Sequence, residues 1–314
     1  MYFPYFRGRQ YELLALKELA IGRLLSKSII PVVEPIKITS TFDGTLRAFA
    51  ENESQFALVF NPAVGALSGG TRFIDSFLSP SKLIAGTATI SPSILPTFLM
   101  NNSTEEVIKV FEDRVAIQSD IITILDKRDF LDVYKTQFAT TAPKFTLFPD
   151  EREFRRIVKN GKVMFRDNFN KQIKNADYPD DEFYTEDHKF FKDEGYLGFG
   201  DYSIIGSEYS EKGFAPYAVA IHIVYLSDDD ILRIHHFKSD SNDDTSDVAG
   251  KFSEAVTKLA DWYQSDQQKQ STTALQTLLS YAATGYYPGL PTIKKLSIMH
   301  QLELIGKYLD GGMS

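Results

Sequence analysis

The sequence predicts an α/β protein folded as a (β/α)8 TIM-barrel-like domain, with a β-hairpin and a C-terminal helical extension. Eight short apolar runs recur along the chain, and helix-like stretches separate most of them. This alternation is the element order of a barrel of parallel strands, and it fits that fold better than an open doubly wound sheet. With 314 residues, the chain is long enough for one such barrel and additional elements.

The predicted strands are rich in β-branched and aromatic residues, and turn residues bound them, as expected for buried strands. They are SIIPVVEPIK at 28–37, FALVFNP at 56–62, LIAGTATI at 83–90, RVAIQS at 114–119, KFTLFP at 144–149, KVMFRD at 162–167, YLGFGD at 196–201 and YAVAIHIVY at 217–225.

Helices are predicted where apolar residues recur at helical spacing. The clearest case is 10–25, in which several leucines form one apolar face. The stretch 104–112 begins with Ser103 or Thr104 as a potential N-cap and has glutamates in its first turn. The remaining helical stretches before the hairpin are 41–52, 71–79 and 150–159.

The pattern changes after the last predicted strand. YAVAIHIVYLSDDDILRIHHF indicates an antiparallel hairpin that turns at Ser227–Asp230. A helix is expected to begin at Thr245 or Ser246, and two further helices are predicted over 272–285 and 291–309. We therefore expect a barrel domain over residues 1–245 and C-terminal helices over residues 246–314.

Composition restricts the class of protein. The chain has no cysteine, which excludes disulfides and thiolate metal sites and indicates a reducing cytoplasm. A net charge of −8 argues against a broad phosphate-binding surface, although residues 151–174 are locally basic, so nucleic-acid binding stays open. The N-terminus lacks the features of a signal peptide, and no apolar run approaches the roughly 18 residues that a membrane span needs. We expect no membrane association.

In a (β/α)8 barrel, ligands bind at the C-terminal ends of the strands, so the polar residues ending the predicted strands are candidates. They are Glu34, Asn61, Thr87 or Thr89, Gln118, Arg166 with Asp167, and Asp201 with its neighbour Tyr202. We expect Glu34 and Asp201 to face one cleft as catalytic carboxylates, and Asn61, Arg166 and Tyr202 to contact a ligand. The alternative is that polar residues simply mark where strands end and loops begin.

Glycines flank Phe199 in the segment GFGDYSIIG. Such glycines let the backbone approach a ligand or turn sharply. Their spacing does not match either phosphate-binding fingerprint, G-x-x-x-x-G-K-[ST] or G-x-G-x-x-G. The sequence therefore indicates no particular cofactor.

Three of the five histidines lie in the predicted hairpin. A turn that pairs Leu226 with Ile231 would place His222 directly opposite His235, with His236 on the other face of the sheet. We interpret His235 as a catalytic candidate and the other two as ligand contacts. Two histidines with Asp240 or Asp243 could instead hold a divalent metal, but no H-x-H or H-E-x-x-H signature is present, and no metal site is assigned.

Four stretches of the chain together resemble the bacterial and phage "beta family protein" group, and the resemblance extends over nearly the whole sequence. They are MYFPYFRGRQYELLAL, IIPVVEPIK, GFGDYSIIGSEYSEKGFAPYAVAIHIVY and LRIHHFKSDSNDD. The resemblance implies a prokaryotic cytoplasmic protein encoded in phages, mobile elements or defence-type loci, often beside the gene of a protein partner. It implies no reaction and no validated catalytic residue.

Three functions remain open. The first, which we favour, is a recognition or assembly component of a phage-defence or mobile-element system, which binds its partner through a barrel face and the C-terminal helices. The second is a metal-dependent hydrolase, either a phosphodiesterase or a nuclease, with Glu34, Asp201 and a histidine around the ion. The third is a barrel that binds a nucleotide or another anionic ligand without turning it over, through Arg166 and Tyr202.

Overall fold

The computed structural model describes residues 1–78, 91–115, 120–210, 216–265 and 271–311. The chain divides into two compact units, each discontinuous in sequence. The barrel unit contains Met1–Arg23, Lys27–Arg166 and Phe190–Tyr202, and the second unit contains Leu24–Ser26, Asp167–Lys189 and Ser203–Ser314. The predicted hairpin thus belongs to the same unit as the C-terminal helices. The predicted domain boundary at residue 245 places it with the barrel instead.

The described residues contain eleven strands. In chain order they are β1 Tyr2–Phe6, β2 Val32–Val33, β3 Phe56–Val59, β4 Ile94–Leu99, β5 Ile122–Ile124, β6 Phe145–Phe148, β7 Lys162–Phe165, β8 Asp181–Thr185, β9 Gly198–Asp201, β10 Ala220–Leu226 and β11 Leu232–Lys238. The same residues form ten α-helices. They are α1 Gln10–Ile21, α2 Ser40–Glu51, α3 Arg72–Phe77, α4 Thr104–Arg114, α5 Leu131–Gln137, α6 Arg152–Ile157, α7 Asp187–Phe190, α8 Val248–Ser265, α9 Thr273–Thr284 and α10 Leu290–Leu309.

Eight parallel strands close into a barrel in the order β1-β2-β3-β4-β5-β6-β7-β9, which confirms the predicted fold class. Strand β1 closes it, because it pairs with β2 on one side and with β9 on the other. Alternate residues of the strands fill the interior, as a barrel requires. This inner cluster consists of Phe3, Tyr5, Ile30, Val32, Ala57, Val59, Leu95, Ile122, Ile124, Phe145, Leu147, Val163 and Phe165.

Five of the predicted runs hold barrel strands: 28–37, 56–62, 144–149, 162–167 and 196–201. The run 83–90 lies outside the described residues, as do residues 116–119 of the run 114–119.

Two barrel strands, β1 and β4, were not predicted, and β5 begins only at Ile122. The run at 217–225 forms β10 of a separate antiparallel sheet and not a barrel strand.

Gly198 and Gly200 let β9 lie against β1. A Cβ atom on Gly200 would sit 2.6 Å from the carbonyl oxygen of Phe3, and one on Gly198 would sit 2.6 Å from that of Met1. Real Cβ atoms do not approach oxygen this closely. The two glycines therefore serve barrel closure, which accounts for them without a ligand.

Replacing Gly200 with alanine is expected to lower the free energy of unfolding by about 1–3 kcal/mol, because β9 must move away from β1. Urea denaturation measures the change. Gly44→Ala is the matched control: Gly44 lies within α2, and its new methyl group would meet only the flexible end of Lys17, so the substitution should be neutral or stabilising. Equal stability of the Gly200 variant and the wild type would contradict this account of barrel closure.

The second unit is built on a three-stranded antiparallel sheet in the order β10-β11-β8. Helix α10 packs on β10, α9 packs on α10, and α8 packs on α9 and β11. The centre of α10 is almost completely buried from Leu296 to Gly306. No helix in the described ranges is long and apolar enough to cross a membrane.

Candidate functional site

The Glu34 carboxylate, directly after β2, accepts four hydrogen bonds at the C-terminal end of the barrel. Its side chain is fully buried. Oε2 accepts a hydrogen bond from the Tyr5 hydroxyl at 2.8 Å and from the Arg7 guanidinium, and Oε1 accepts from the backbone amides of Ala63 at 2.6 Å and Val64 at 3.2 Å. This carboxylate ties the ends of the first three strands together.

Arg7 completes the cluster. Its guanidinium carbon lies 5.0 Å from the ring centroid of Tyr5 and 5.6 Å from that of Tyr202. The positive charge therefore makes cation–π contacts with two aromatic rings in addition to its ion pair with Glu34. Burial, and then the negative charge of Glu34, raise the pKa of Tyr5 well above its usual value. We refer to Tyr5, Arg7, Glu34 and Tyr202 as the barrel-mouth cluster. Its charges are internally neutralised.

Asp126 follows β5 at the same end of the barrel. Although the residue is exposed, partial desolvation raises the pKa of its carboxyl, against the opposing effects of Lys127 and Arg7. The negative charge of Glu34 raises it further. Asp126 is thus an exposed carboxylate at this end of the barrel.

Asp201 lies on the outer face of the barrel. Tyr202 packs against the inner cluster, and since successive strand residues alternate, Asp201 points the other way. Its Oδ1 accepts a hydrogen bond from the Tyr2 hydroxyl at 2.6 Å. The prediction that Glu34 and Asp201 face one cleft is therefore wrong, because Asp201 is one residue out of phase with the inward positions of β9.

Asn61 and Arg166 both lie at strand ends, where Asn61 binds the backbone and Arg166 contacts a side chain. The Asn61 amide donates to the carbonyl oxygen of Leu99 at 2.7 Å and accepts from its N–H at 2.8 Å, so it extends the pairing of β3 with β4. Arg166 follows the inward-facing Phe165 and therefore lies on the outer strand face, where its guanidinium contacts Met164 Sδ at 3.1 Å. The structure does not bring Arg166 to the barrel-mouth cluster.

The hairpin register differs by one residue from the predicted one. Leu226 pairs with Leu232, and His222 therefore lies opposite His236 and not His235. The Nδ1 atoms of His222 and His236 are 2.7 Å apart. A shift of one residue exchanges the two faces of a strand, which is why the predicted partner changed.

The turn explains the shift. The connection contains five residues, Ser227–Ile231, and Ser227 donates its N–H to the carbonyl oxygen of Ile231 at 2.9 Å. Asp230 has a left-handed backbone with φ of 58°. Aspartate tolerates this conformation better than most residues, so the longer loop is favoured over the predicted four-residue turn.

His235 and His236 lie on opposite faces of β11, as predicted from strand alternation. His235 packs on Phe237 with ring centroids 4.1 Å apart and on Trp262 with centroids 5.6 Å apart, and its Nδ1 lies 3.7 Å from Asp181 Oδ2. It therefore faces α8 and is separated from the other two histidines by the sheet. Its predicted catalytic role stays a prediction.

A hydrogen-bonded series runs from Glu182 through His236 to His222. Nε2 of His236 lies 3.1 Å from Glu182 Oε1, and the other Glu182 oxygen accepts from the Asn170 amide at 3.3 Å. The Tyr178 ring stacks on His236 with centroids 4.6 Å apart. Burial lowers the pKa of His236, and burial together with His236 and Lys294 lowers the pKa of His222 to about 3. Both rings are therefore neutral at physiological pH.

His222 lines a cavity of about 230 Å³ in the second unit. We call this cavity the histidine pocket and define it by Phe169, Lys171, Asn175, Tyr178, His222 and Lys294. Lys171 also forms an exposed ion pair with Glu208, with 3.3 Å between Nζ and Oε2, and such pairs contribute little. Two lysines, an asparagine and a neutral imidazole thus line one cavity together with two aromatic rings.

Sequence reasoning missed Arg7, Lys171, Glu182 and Lys294. The basic stretch 151–174 contains Lys171, so composition held a weak signal for that residue. Lys294 is an ordinary polar position near the start of α10, and only the tertiary fold places it on the same cavity as Lys171.

No group of three or more His, Asp or Glu that could hold a metal occurs within the described part of the chain. Comparison of the chain with protein-family models, curated proteins and solved structures found no match. The family resemblance therefore stays a prediction.

Proposed function

We propose that this protein is a recognition component that binds a small anionic ligand in the histidine pocket. The observation that carries the proposal is that Lys171, Lys294 and His222 all line one cavity of an otherwise acidic protein. Ligand sites typically combine an apolar and aromatic lining with a few placed polar groups, and this cavity has both. Ammonium groups recognise phosphate or carboxylate as point charges.

The barrel-mouth cluster supports a binding role less well. Glu34 already accepts four hydrogen bonds, and its carboxylate is closed to solvent. A general base must reach the proton that it removes, so this carboxylate would first have to exchange its partners. We therefore assign Glu34 to the stability of the barrel and the ligand to the second unit.

The hydrolase alternative places Glu34 and Asp201 around one metal ion, and the described residues give it no support. Glu34 is inside the barrel mouth, whereas Asp201 is on the outer barrel face. The phage-defence setting and the protein partner from a neighbouring gene are part of the proposal only through the family resemblance.

The binding proposal is tested by titrating the purified protein with inorganic phosphate and propyl phosphate in a calorimeter. Lys171→Ala and Lys294→Ala are each expected to weaken binding by about tenfold, because each removes one ammonium contact with the anion. Binding should also weaken with added salt.

Lys295→Ala is the matched control, since it removes the same charge from the next residue of α10, outside the pocket lining. Its affinity should stay within about twofold of the wild type. Equal losses in all three lysine variants would indicate a general charge effect, and unchanged affinity in the two pocket variants would place the ligand elsewhere.

A further inference from the structure

The series of hydrogen bonds behind the pocket fixes the protonation of both histidine rings. An ionised carboxylate only accepts hydrogen bonds, so Nε2 of His236 must carry the proton that is shared with Glu182. A neutral His236 then has a lone pair on Nδ1. The short Nδ1–Nδ1 contact therefore requires that His222 donates from its own Nδ1.

It follows that Nε2 of His222 carries a lone pair and no proton. This atom has no hydrogen-bond partner within the described ranges, and it is not among the fully buried polar atoms there. Since His222 lines the pocket, Nε2 is the acceptor that the protein presents to a ligand. Lys171 and Lys294, which line the same cavity, supply donors only.

We propose that the histidine pocket is specific for a small phosphorylated polyol, whose phosphate binds Lys171 and Lys294 and whose hydroxyl donates a hydrogen bond to His222 Nε2. This inference rests on the proposed function and adds the chemical class of the ligand. A ligand without a hydroxyl leaves the His222 lone pair unsatisfied, and sites built around a hydrogen bond reject such analogues.

The size of the cavity agrees with a ligand of this class. Its volume of about 230 Å³ is below the range of about 300–1,000 Å³ that is typical of pockets for drug-sized molecules. A three- to five-carbon sugar phosphate suits this volume better than a dinucleotide.

The tautomer is tested first, in the unliganded wild-type protein, by two-bond ¹H–¹⁵N NMR of the histidine side chains. The expected result is a protonated Nδ1 and an unprotonated Nε2 for His222, with the reverse for His236. The reverse tautomer at His222 would overturn the inference, whether or not any anion binds.

Specificity is tested with a matched pair of ligands, glycerol 3-phosphate and propyl phosphate, which differ only in two hydroxyl groups. The wild type should bind glycerol 3-phosphate about tenfold more tightly. In His222→Phe, which keeps a ring against Phe169 and Tyr178, this preference should disappear while the affinity for propyl phosphate stays within about twofold.

Glu182→Ala provides a second variant that leaves His222 in place. Without the carboxylate, His236 no longer has a fixed tautomer, so the His222 resonances should show a mixture and the preference for glycerol 3-phosphate should fall to about threefold or less. An unchanged preference in both variants would overturn the role of His222.

The outcomes separate the inference from the proposed function. Failure of every phosphate compound to bind contradicts both. Binding of propyl phosphate with an affinity equal to that of glycerol 3-phosphate in the wild type contradicts only the inference. Binding of lactate in preference to both phosphates, through its carboxylate and hydroxyl, would retain His222 as acceptor but overturn the assignment of phosphate.

Discussion

Glu34→Ala is expected to destabilise the barrel by about 3–5 kcal/mol, which is the cost of removing one partner from a buried ion pair. The substitution leaves the Arg7 charge, the Tyr5 hydroxyl and the amides of Ala63 and Val64 without their common acceptor. Urea denaturation followed by circular dichroism gives the change. Glu34→Ala should cost distinctly less in the Arg7→Met background, because the substitution then leaves no unpaired arginine charge.

Asp126→Asn is the matched control for this prediction. Asp126 is an exposed carboxylate at the same end of the barrel, and partial desolvation raises its pKa. Its neutralisation should therefore change the free energy of unfolding by less than about 0.5 kcal/mol. A Glu34→Ala loss as small as that of the control would contradict the structural role of Glu34.

Acidification from pH 7 to pH 5 is expected to destabilise the second unit by about 2 kcal/mol for each of two buried histidines. Burial lowers the pKa of His188 to about 4 and that of His300 to about 4. In the unfolded chain both titrate near pH 6.5. Between about pH 6.5 and pH 4 the unfolded state therefore binds protons that the folded state does not, and stability falls as the pH falls.

Burial makes protonation of His300 unfavourable, and its contacts fix the tautomer of the neutral ring. Its Nε2 lies 2.7 Å from the carbonyl oxygen of Val224, and its Nδ1 lies 2.8 Å from the hydroxyl of Thr272. The carbonyl can only accept, so Nε2 donates and Nδ1 accepts. A second proton on Nδ1 would reverse the latter hydrogen bond, and the Thr272 hydroxyl proton would then need another acceptor.

The measurement is the free energy of unfolding at pH 7 and pH 5, from urea titrations of the wild type and of His188→Gln/His300→Gln. The pH difference should be about 4 kcal/mol smaller in the double variant, even if it is less stable at both pH values. His222 and His236, whose pKa values burial also lowers, account for part of the difference that remains. Equal pH differences in the two proteins would contradict the roles of His188 and His300.

The barrel was predictable because most of its strands are continuous apolar runs with a short connection to a helix. Strands β3, β6 and β7 are of this kind. Strands β1 and β4 were missed, and each contains a proline, Pro4 and Pro96 respectively, which argues against a central strand when only the sequence is considered. These two strands form because each pairs with parallel neighbours in the closed barrel, although the local strand propensity of their sequence is low.

The site was much harder to predict than the fold. Period-2 alternation places His235 and His236 on opposite faces of the strand in any register, so this feature could be predicted from the sequence. The partner of His222 depends on the length of one turn, and the left-handed Asp230 that lengthens it gave no clear signal. The pocket joins a loop near residue 171, strand β10 and helix α10, and sequence periodicity carries no information about such contacts.

The most direct test of the account is a crystal structure of the protein with glycerol 3-phosphate. We expect the phosphate between Lys171 and Lys294, and a ligand hydroxyl within hydrogen-bonding distance of His222 Nε2. Ligand bound at the barrel mouth against Arg7, with only solvent in the histidine pocket, would contradict the account.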